Sequence, residues 1–276
     1  MDDVLGYERR RVVVSGAATG MGAATVGILL DLGAEVTTLD VKPVTAPVKA
    51  ALEIDLRDRA SIDAAVAAID GPVDALFSCA GLPGPPFSDV DVMLVNFVGA
   101  RHLIESLVPQ MPEGSAIATI ASCAGMGWQL QLATWMELVT SDGFEAGKAW
   151  CETHLDAITG VGGAYTASKQ VMNAWVCWRA AGLITQGIRL NVLNPGPTET
   201  PMMPDFERNA PGGADLINAF TKPINRRSTP EEQAWPLVML NSPRLSYVAG
   251  HAMHADGGWF GGVQTGAVTV PEIPEG

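Results

Sequence analysis

Residues 11–33, RVVVSGAATGMGAATVGILLDLG, constrain the fold more than any other stretch of the 276-residue chain. A β-branched run, Val12–Val14, breaks into Gly16, Gly20 and Gly22, then continues as apolar residues at helical spacing and closes at Gly33. Strand, glycine turn and helix in that order open a βαβ unit, whose crossover commits the chain to a parallel sheet. The alternation persists: AEVTTLD ends a second strand at Asp40, and AALEIDL, VDALFSCAG, SAIATIAS, IRLNVLNPG and HAMHADGG read as the third to seventh. Helical stretches fall near 60–69 and 91–108, another runs from Tyr165 to about Gln186, and STPEEQAWPLVMLNS begins with a capping signature and forms a last helix. These elements predict an α/β fold: a doubly wound, seven-stranded parallel sheet in a single domain covering 1–276. With 47% hydrophobic residues, the chain can bury the core that such a sheet requires.

The formal net charge of −13 repels phosphate backbones and anionic lipid heads, so nucleic acid and membrane are not expected partners, and a small organic substrate is. Cys79, Cys123, Cys151 and Cys177 lie far apart with no Cys-x-x-Cys pair, the pattern of free thiols in a reducing compartment. The opening MDDVLGYERRRVVV has acidic residues where a secretory leader needs basic ones, and no apolar run approaches the ~18 residues of a membrane span. A cytoplasmic location is the expectation. His251 and His254 form H-x-x-H on a strand rather than a helix, so no metal is expected there.

Gly16, Gly20 and Gly22 allow backbone N–H groups and a helix N-terminus to approach a pyrophosphate, although a plain strand-to-helix turn has the same composition. Asp40 ends the next strand, where a carboxylate either accepts hydrogen bonds from two ribose hydroxyls or merely caps the strand. The first role favours NAD over NADP, and Lys42 is the nearby cation that could soften the preference. In GGAYTASKQ, Tyr165 and Lys169 stand at i and i+4 and share a helix face. An ammonium beside a phenol of ordinary pKa about 10 stabilises the phenolate and makes a usable acid or base, yet a solvated helix face carries the same spacing.

Taken together and in order, these motifs resemble those of the short-chain dehydrogenases/reductases, and the resemblance covers nearly the whole chain. SGAATGMG stands for the family's glycine turn with Ser15 in place of threonine, SCAG at 78–81 for its Asn-Asn-Ala-Gly, and VNFVG for its helix asparagine, Asn96. IASCAG supplies the family's catalytic serine, Ser122, and NPGPTET its proline–glycine turn before the nicotinamide-binding threonine, Thr198. The resemblance implies a Rossmann-type fold and an NAD-dependent alcohol dehydrogenase or ketone reductase. By this resemblance, Tyr165 is the acid/base, Ser122 the donor to the substrate oxygen, Lys169 the group that binds the nicotinamide ribose and lowers the Tyr165 pKa, and Asn96 the holder of a relay water. It further implies a cofactor site made by Gly16, Thr19, Gly20, Met21, Gly22, Asp40, Val41, Asp55, Leu56, Cys79, Ala80, Gly81, Tyr165, Lys169, Pro195, Gly196 and Thr198. A silent NAD-binding redox sensor and an NADP-dependent 3-oxoacyl-type reductase are the competing readings.

Two departures stand out. The paired asparagines of Asn-Asn-Ala-Gly are missing, and Ser122 and Tyr165 lie 43 positions apart, much farther than is usual in the family. Residues 126–163 therefore read as an insertion, a helical hairpin with stripes Leu132, Trp135, Met136, Val139 and Phe144, Cys151, Leu155, Ile158. An insertion here is similar to that of the 3α-hydroxysteroid dehydrogenase/carbonyl reductase and coniferyl-alcohol dehydrogenase branch. It would alter subunit assembly, making a homodimer the first expectation and a tetramer the second. Residues 197–227 are too long for an ordinary connection and read as a substrate loop, and 261–276 form a Gly- and Pro-rich tail. Met126, Trp128, Met202, Met203, Phe206 and Phe220 are candidates either for an apolar substrate cleft or for simple core packing. The implied substrate is a bulky, apolar secondary alcohol such as a steroid or another alicyclic compound.

Overall fold

The computed structural model describes residues 3–271. Seven strands, β1 (Arg11–Ser15), β2 (Glu35–Asp40), β3 (Ala50–Glu53), β4 (Ala75–Ser78), β5 (Ala116–Ile120), β6 (Arg189–Pro195) and β7 (Ala252–Ala255), form one sheet with every pairing parallel. Their order is β3-β2-β1-β4-β5-β6-β7. Strands β4, β5 and β6 are buried at every position because helices cover both of their faces, whereas the edge strands β3 and β7 are only partly covered. The order reverses between β1 and β4, and a crevice opens there beyond the carboxyl ends of the strands. Strands β3, β4 and β5 are shorter than their apolar runs predict. Asp55, Leu56, Cys79, Gly81 and Ser122 thereby fall in the loops that rim the crevice.

The helices in chain order are α1 (Gly20–Asp31), α2 (Arg59–Ala67), α3 (Asp89–Met93), α4 (Gly99–Leu107), α5 (Leu132–Val139), α6 (Gly143–Thr153), α7 (Leu155–Thr159), α8 (Ala164–Leu183), α9 (Met203–Asn209), α10 (Gly213–Ala219), α11 (Pro230–Asn241) and α12 (Trp259–Gln264). Apolar side chains of α1 and α11 pack on one face of the sheet, and those of α2, α4 and α8 on the other. Thr229 caps α11 in a reciprocal box with Glu232, at 3.3 Å and 2.9 Å. This helix is not the last, because the Gly257–Gly258 turn leads into α12.

A π-helical turn at Leu94–Val98 joins α3 to α4. Asp89–Gln110 is long and apolar enough to cross a membrane by length and composition, which the reading of apolar runs overlooked. In this fold, 72% of its most apolar window is buried inside the protein.

The segment 126–163 folds as three helices, α5 to α7, rather than the two of a hairpin. The expected stripes are partly displaced: Leu132 is 40% exposed and Leu155 43%, whereas Trp135, Leu138, Val139, Phe144, Cys151 and Ile158 are buried. The physical reason lies on α4. Arg101 is buried there, and its guanidinium donates to the carbonyls of Leu138 (3.0 Å), Val139 (3.3 Å) and Gly143, setting the roll of α5 and α6. Trp135 then reaches α8, where its Nε1 donates to Gln170 at 3.0 Å.

Candidate active site

The glycine turn is shaped by close backbone approach. A Cβ on Gly22 would collide with the Gly16 carbonyl, and one on Gly16, whose φ is +68°, would collide with the main chain of Ala80. Thr19 precedes α1 without a side-chain cap, and no acidic residue occupies the first turn, so the first N–H groups of α1 stay open to an anion. Met21 packs on the α1 side of the core. At the end of β2, Asp40 accepts from the N–H of Ala18 (2.9 Å) and of Lys42 (2.8 Å), which fixes its carboxylate at the crevice edge beside the exposed Val41. Asp55 is held by Arg57 at 2.7 Å, and this partner, more than the opposing burial, keeps its carboxyl below the ordinary carboxylate range. Leu56 is buried, and its carbonyl abuts Gly99.

Across the crevice, Cys79 donates its N–H to the Ser15 carbonyl at 3.0 Å. Burial pushes its thiol up to about 12, so it is a poor nucleophile. Gly81 faces both Asn96 and the Lys169 ammonium: a Cβ there would lie 3.4 Å from Asn96 Oδ1 and 3.8 Å from Lys169 Nζ. Asn96 sits inside the π turn and is buried. Its Oδ1 accepts from the Leu82 N–H (2.7 Å), and its Nδ2 donates to the Leu82 carbonyl (3.0 Å) and Ser168 Oγ (3.1 Å). One side-chain donor and Oδ1 thus hold Leu82, and the second donor is committed to Ser168 on α8.

Ser122 follows β5 in extended backbone and caps a short 3-10 turn; its Oγ accepts from the Ala124 N–H at 3.1 Å. Since that bond uses a lone pair, the Ser122 hydroxyl remains able to donate. Tyr165 and Lys169 emerge from the first turns of α8. Burial pushes the Tyr165 phenol well above its ordinary value, and hydrogen bonding with Ser122 opposes this. Burial lowers the Lys169 ammonium to about 8. Lys169 Nζ donates to the Ile120 carbonyl at 3.2 Å and lies 5.3 Å from the centre of the Tyr165 ring. The expected lowering of the Tyr165 pKa by Lys169 is therefore corrected for the protein alone: the ammonium lies over the ring, and desolvation of the phenolate dominates.

At the carboxyl end of β6, Pro195 and Gly196 lead to the buried Thr198, whose Oγ1 donates to the Gly196 carbonyl and pairs with Ser228 Oγ, both at 2.9 Å. Gln233 Nε2 donates to Ser228 Oγ at 2.8 Å. Of the candidate lining residues, Phe206 meets Tyr165 edge to face at 4.8 Å between ring centres. Met203 is buried, and Met202 is partly covered at the start of α9. Met126 and Phe220 pack with Cys123 and Trp259, while Trp128 leans on the α8 side of the core. His254 stacks on Phe260 at 3.7 Å, and among the described residues no cluster of three or more His, Cys, Asp or Glu could hold a metal.

The likeness to known proteins agrees with this arrangement. Residues 10–133 match the family model described as short chain dehydrogenase, and 153–260 match one described as Enoyl-(Acyl carrier protein) reductase. The 3-alpha-hydroxysteroid dehydrogenase/carbonyl reductase of Comamonas testosteroni is 32% identical over 248 residues, covering 90% of this chain and 95% of that protein. The chain belongs to the short-chain dehydrogenase/reductase family. Coniferyl-alcohol dehydrogenase of Pseudomonas sp. (strain HR199 / DSM 7063) is 26% identical across 90% of this chain and 96% of its own length. The crystal structure of 3-alpha-hydroxysteroid dehydrogenase from Pseudomonas sp. B-0831 complexed with NADH superposes with a TM-score of 0.77 at 25% identity, covering 94% of this chain and 99% of that one. The protein is thus an oxidoreductase of the short-chain type, related to hydroxysteroid and alcohol dehydrogenases.

Short-chain dehydrogenases bind a nicotinamide dinucleotide, and the residues present fit one. At Gly16 and Gly22 the cradle leaves no room for side chains, the N–H groups of α1 are uncapped, and the buried Lys169 ammonium has, among the described residues, one carbonyl partner for its three protons. The Ser15 hydroxyl, on β1 opposite Ser78, is buried without a hydrogen-bond partner among the described residues. Sequence reasoning missed Arg101, Asn173, Asn194, Ser228 and Gln233. A lone arginine in a helical stretch gives no periodic signal, but Asn173, one turn beyond Lys169, and Asn194, directly before Pro195–Gly196, stood next to motifs already found.

Proposed function

We propose that the protein is an NAD-dependent alcohol dehydrogenase/ketone reductase acting on a bulky, apolar secondary alcohol, a steroid or another alicyclic or aromatic compound. The carrying observation is the meeting of Ser122, Tyr165 and Lys169 beside Gly81 at the rim of the crevice. The nicotinamide accepts or supplies the hydride. Tyr165 moves the proton: its phenolate takes the hydroxyl proton during oxidation, and its neutral phenol returns it to the carbonyl oxygen during reduction. Ser122 donates to the substrate oxygen as charge develops on it, an electrostatic role. Lys169, two of whose protons are uncommitted to protein partners, binds the nicotinamide ribose and is the nearest cation for a phenolate at Tyr165. Asn96, buried in the π turn beside Gly81, is the residue assigned to position a relay water, while its side-chain donors hold Leu82 and Ser168.

NAD is supported by Asp40, whose carboxylate repels a 2′-phosphate, and by the NADH in the related hydroxysteroid dehydrogenase structure. An apolar substrate is supported by Phe206 against Tyr165 and by the Met126, Phe220 and Trp259 group around Cys123. A homodimer is supported by the covering of α4 by α5 and α6, while Trp235 and Met239 on α11 and the following Tyr247 remain exposed. Four free cysteines support a cytoplasmic setting. An absorbance screen at the reduced-nicotinamide band, with NAD and NADP against hydroxysteroids, phenylpropanoid alcohols and alicyclic alcohols, should show NAD-dependent turnover. That turnover should vanish in Tyr165→Phe; full turnover by that variant, or a clear NADP preference, would refute the reading.

A further inference from the structure

We propose that Asn173 and Asn194 are positioning residues whose reciprocal amide pair holds Ser122 in register with Tyr165 and Lys169. This rests on the roles given to Ser122 and Tyr165 above. The pair joins two elements that meet only in the folded protein. Asn194 Nδ2, from β6, donates to Asn173 Oδ1 at 2.9 Å, and Asn173 Nδ2, from α8, donates back to Asn194 Oδ1 at 3.0 Å. Each amide also makes one bond to the site. Asn194 Oδ1 also accepts the Ser122 main-chain N–H at 3.2 Å, and Asn173 Nδ2 also donates to the Lys169 carbonyl at 2.9 Å.

Both asparagines are buried, 1% and 2% exposed, where apolar residues of similar shape would replace the contact between the two amides but not the bond to the Ser122 N–H. What the pair adds is direction. Ser122 is fixed at its main-chain nitrogen by Asn194 and at Oγ by the Ala124 N–H, so the position of its oxygen is set, while its proton is spent, among the described residues, only on a long contact of 4.0 Å to Cys123 Sγ. The loop after Ser122 is pressed onto the same pair, because a Cβ on Gly125 would lie 2.7 Å from Asn173 Nδ2 and 2.8 Å from the Lys169 carbonyl. Ser122 therefore cannot shift relative to Lys169 without breaking a hydrogen bond of the pair.

The test uses the full chain as Asn194→Leu and as the apolar double variant Asn173→Leu/Asn194→Leu, the second guarding against misfolding of the first. Crystal structures should show the Ser122–Tyr165 hydroxyl separation changed by roughly 1 Å, and kcat on a 3-hydroxysteroid probe should fall by about 10²-fold. Dissociation constants for NADH, from nucleotide fluorescence, should stay within about twofold of wild type, because the glycine cradle is untouched. An unmoved Ser122 in a folded variant overturns the proposal whatever the substrate proves to be. So does a kcat within about twofold of wild type, or a loss of NADH affinity in step with kcat, which marks a merely structural role. Inactivity of the wild-type enzyme on the probe refutes the substrate reading instead and leaves the crystallographic separation to decide the pair.

Discussion

The two halves of the sheet build their shares of the crevice by different means. On the β1–β3 side the surface is mostly main chain: glycines in close backbone contact, the uncapped N–H groups of α1, and two carboxylates, Asp40 held by two backbone donors and Asp55 held by Arg57. On the β5–β7 side it is side chain: Ser122, Tyr165 and Lys169, supported by the Asn173–Asn194 pair, with Thr198 and Ser228 beyond β6. Main chain can cradle an extended anion but cannot move a proton. A buried phenol can move a proton, at the cost of a pKa set by desolvation. The first half should therefore govern how tightly the dinucleotide is held, and the second how fast the chemistry runs.

Substitutions that separate affinity from rate test that division. The largest effect belongs to Tyr165→Phe, which should lower kcat by about 10²–10⁴-fold, with NADH affinity unchanged by fluorescence titration. Lost affinity would break the division. Ser122→Ala comes next, with a fall in kcat of about 10²–10³-fold measured at saturating cofactor. Asp40→Ala should act from the other side, weakening NAD binding about tenfold and narrowing the gap to NADP while kcat at saturation holds.

Outside the crevice, Arg101→Leu strands several buried carbonyls and should cost about 1–3 kcal/mol, read as a fall of several degrees in Tm. Lys169→Met gives the smallest signal, in pH-dependent melting of the protein alone. Because burial holds the folded pKa of Lys169 near 8, below its ordinary 10.5, the cost of burying its charge is full below pH 8 and is relieved as pH rises towards 10. Tyr165, shifted upward, begins to lose its contribution only above its ordinary value of 10.0. Between pH 8 and 10, wild type should therefore gain stability relative to Lys169→Met; a constant difference across that interval would refute the assignment.

What the sequence disclosed follows the same division. The glycine turn, Asp40 and the Tyr165–Lys169 spacing are local patterns, each contained in one element and its turn, and each could be read directly. The Asn173–Asn194 pair depends on how α8 packs against β6, and the roll of α5 and α6 depends on Arg101, far earlier in the chain. Periodicity selected Leu132 for burial because it cannot see which face a buried guanidinium captures, and Leu155 because its stripe runs across the break between α6 and α7. The Tyr165 pKa was misjudged for a related reason: i, i+4 spacing gives proximity, but the depth of the pocket, which decides the sign, is a property of the assembled fold.

The π turn at Leu94–Val98 accommodates one residue beyond ordinary helical winding. The Gly99 N–H reaches back to the Leu94 carbonyl, one residue farther than an α-helical bond. Loss of one residue here would restore ordinary winding and leave α3 and α4 close to their present orientation, with Val92 and Met93 still buried. Such a deletion would remove the offset that carries Asn96 to the main chain of Leu82, so its cost should fall on the rim of the crevice and spare the core.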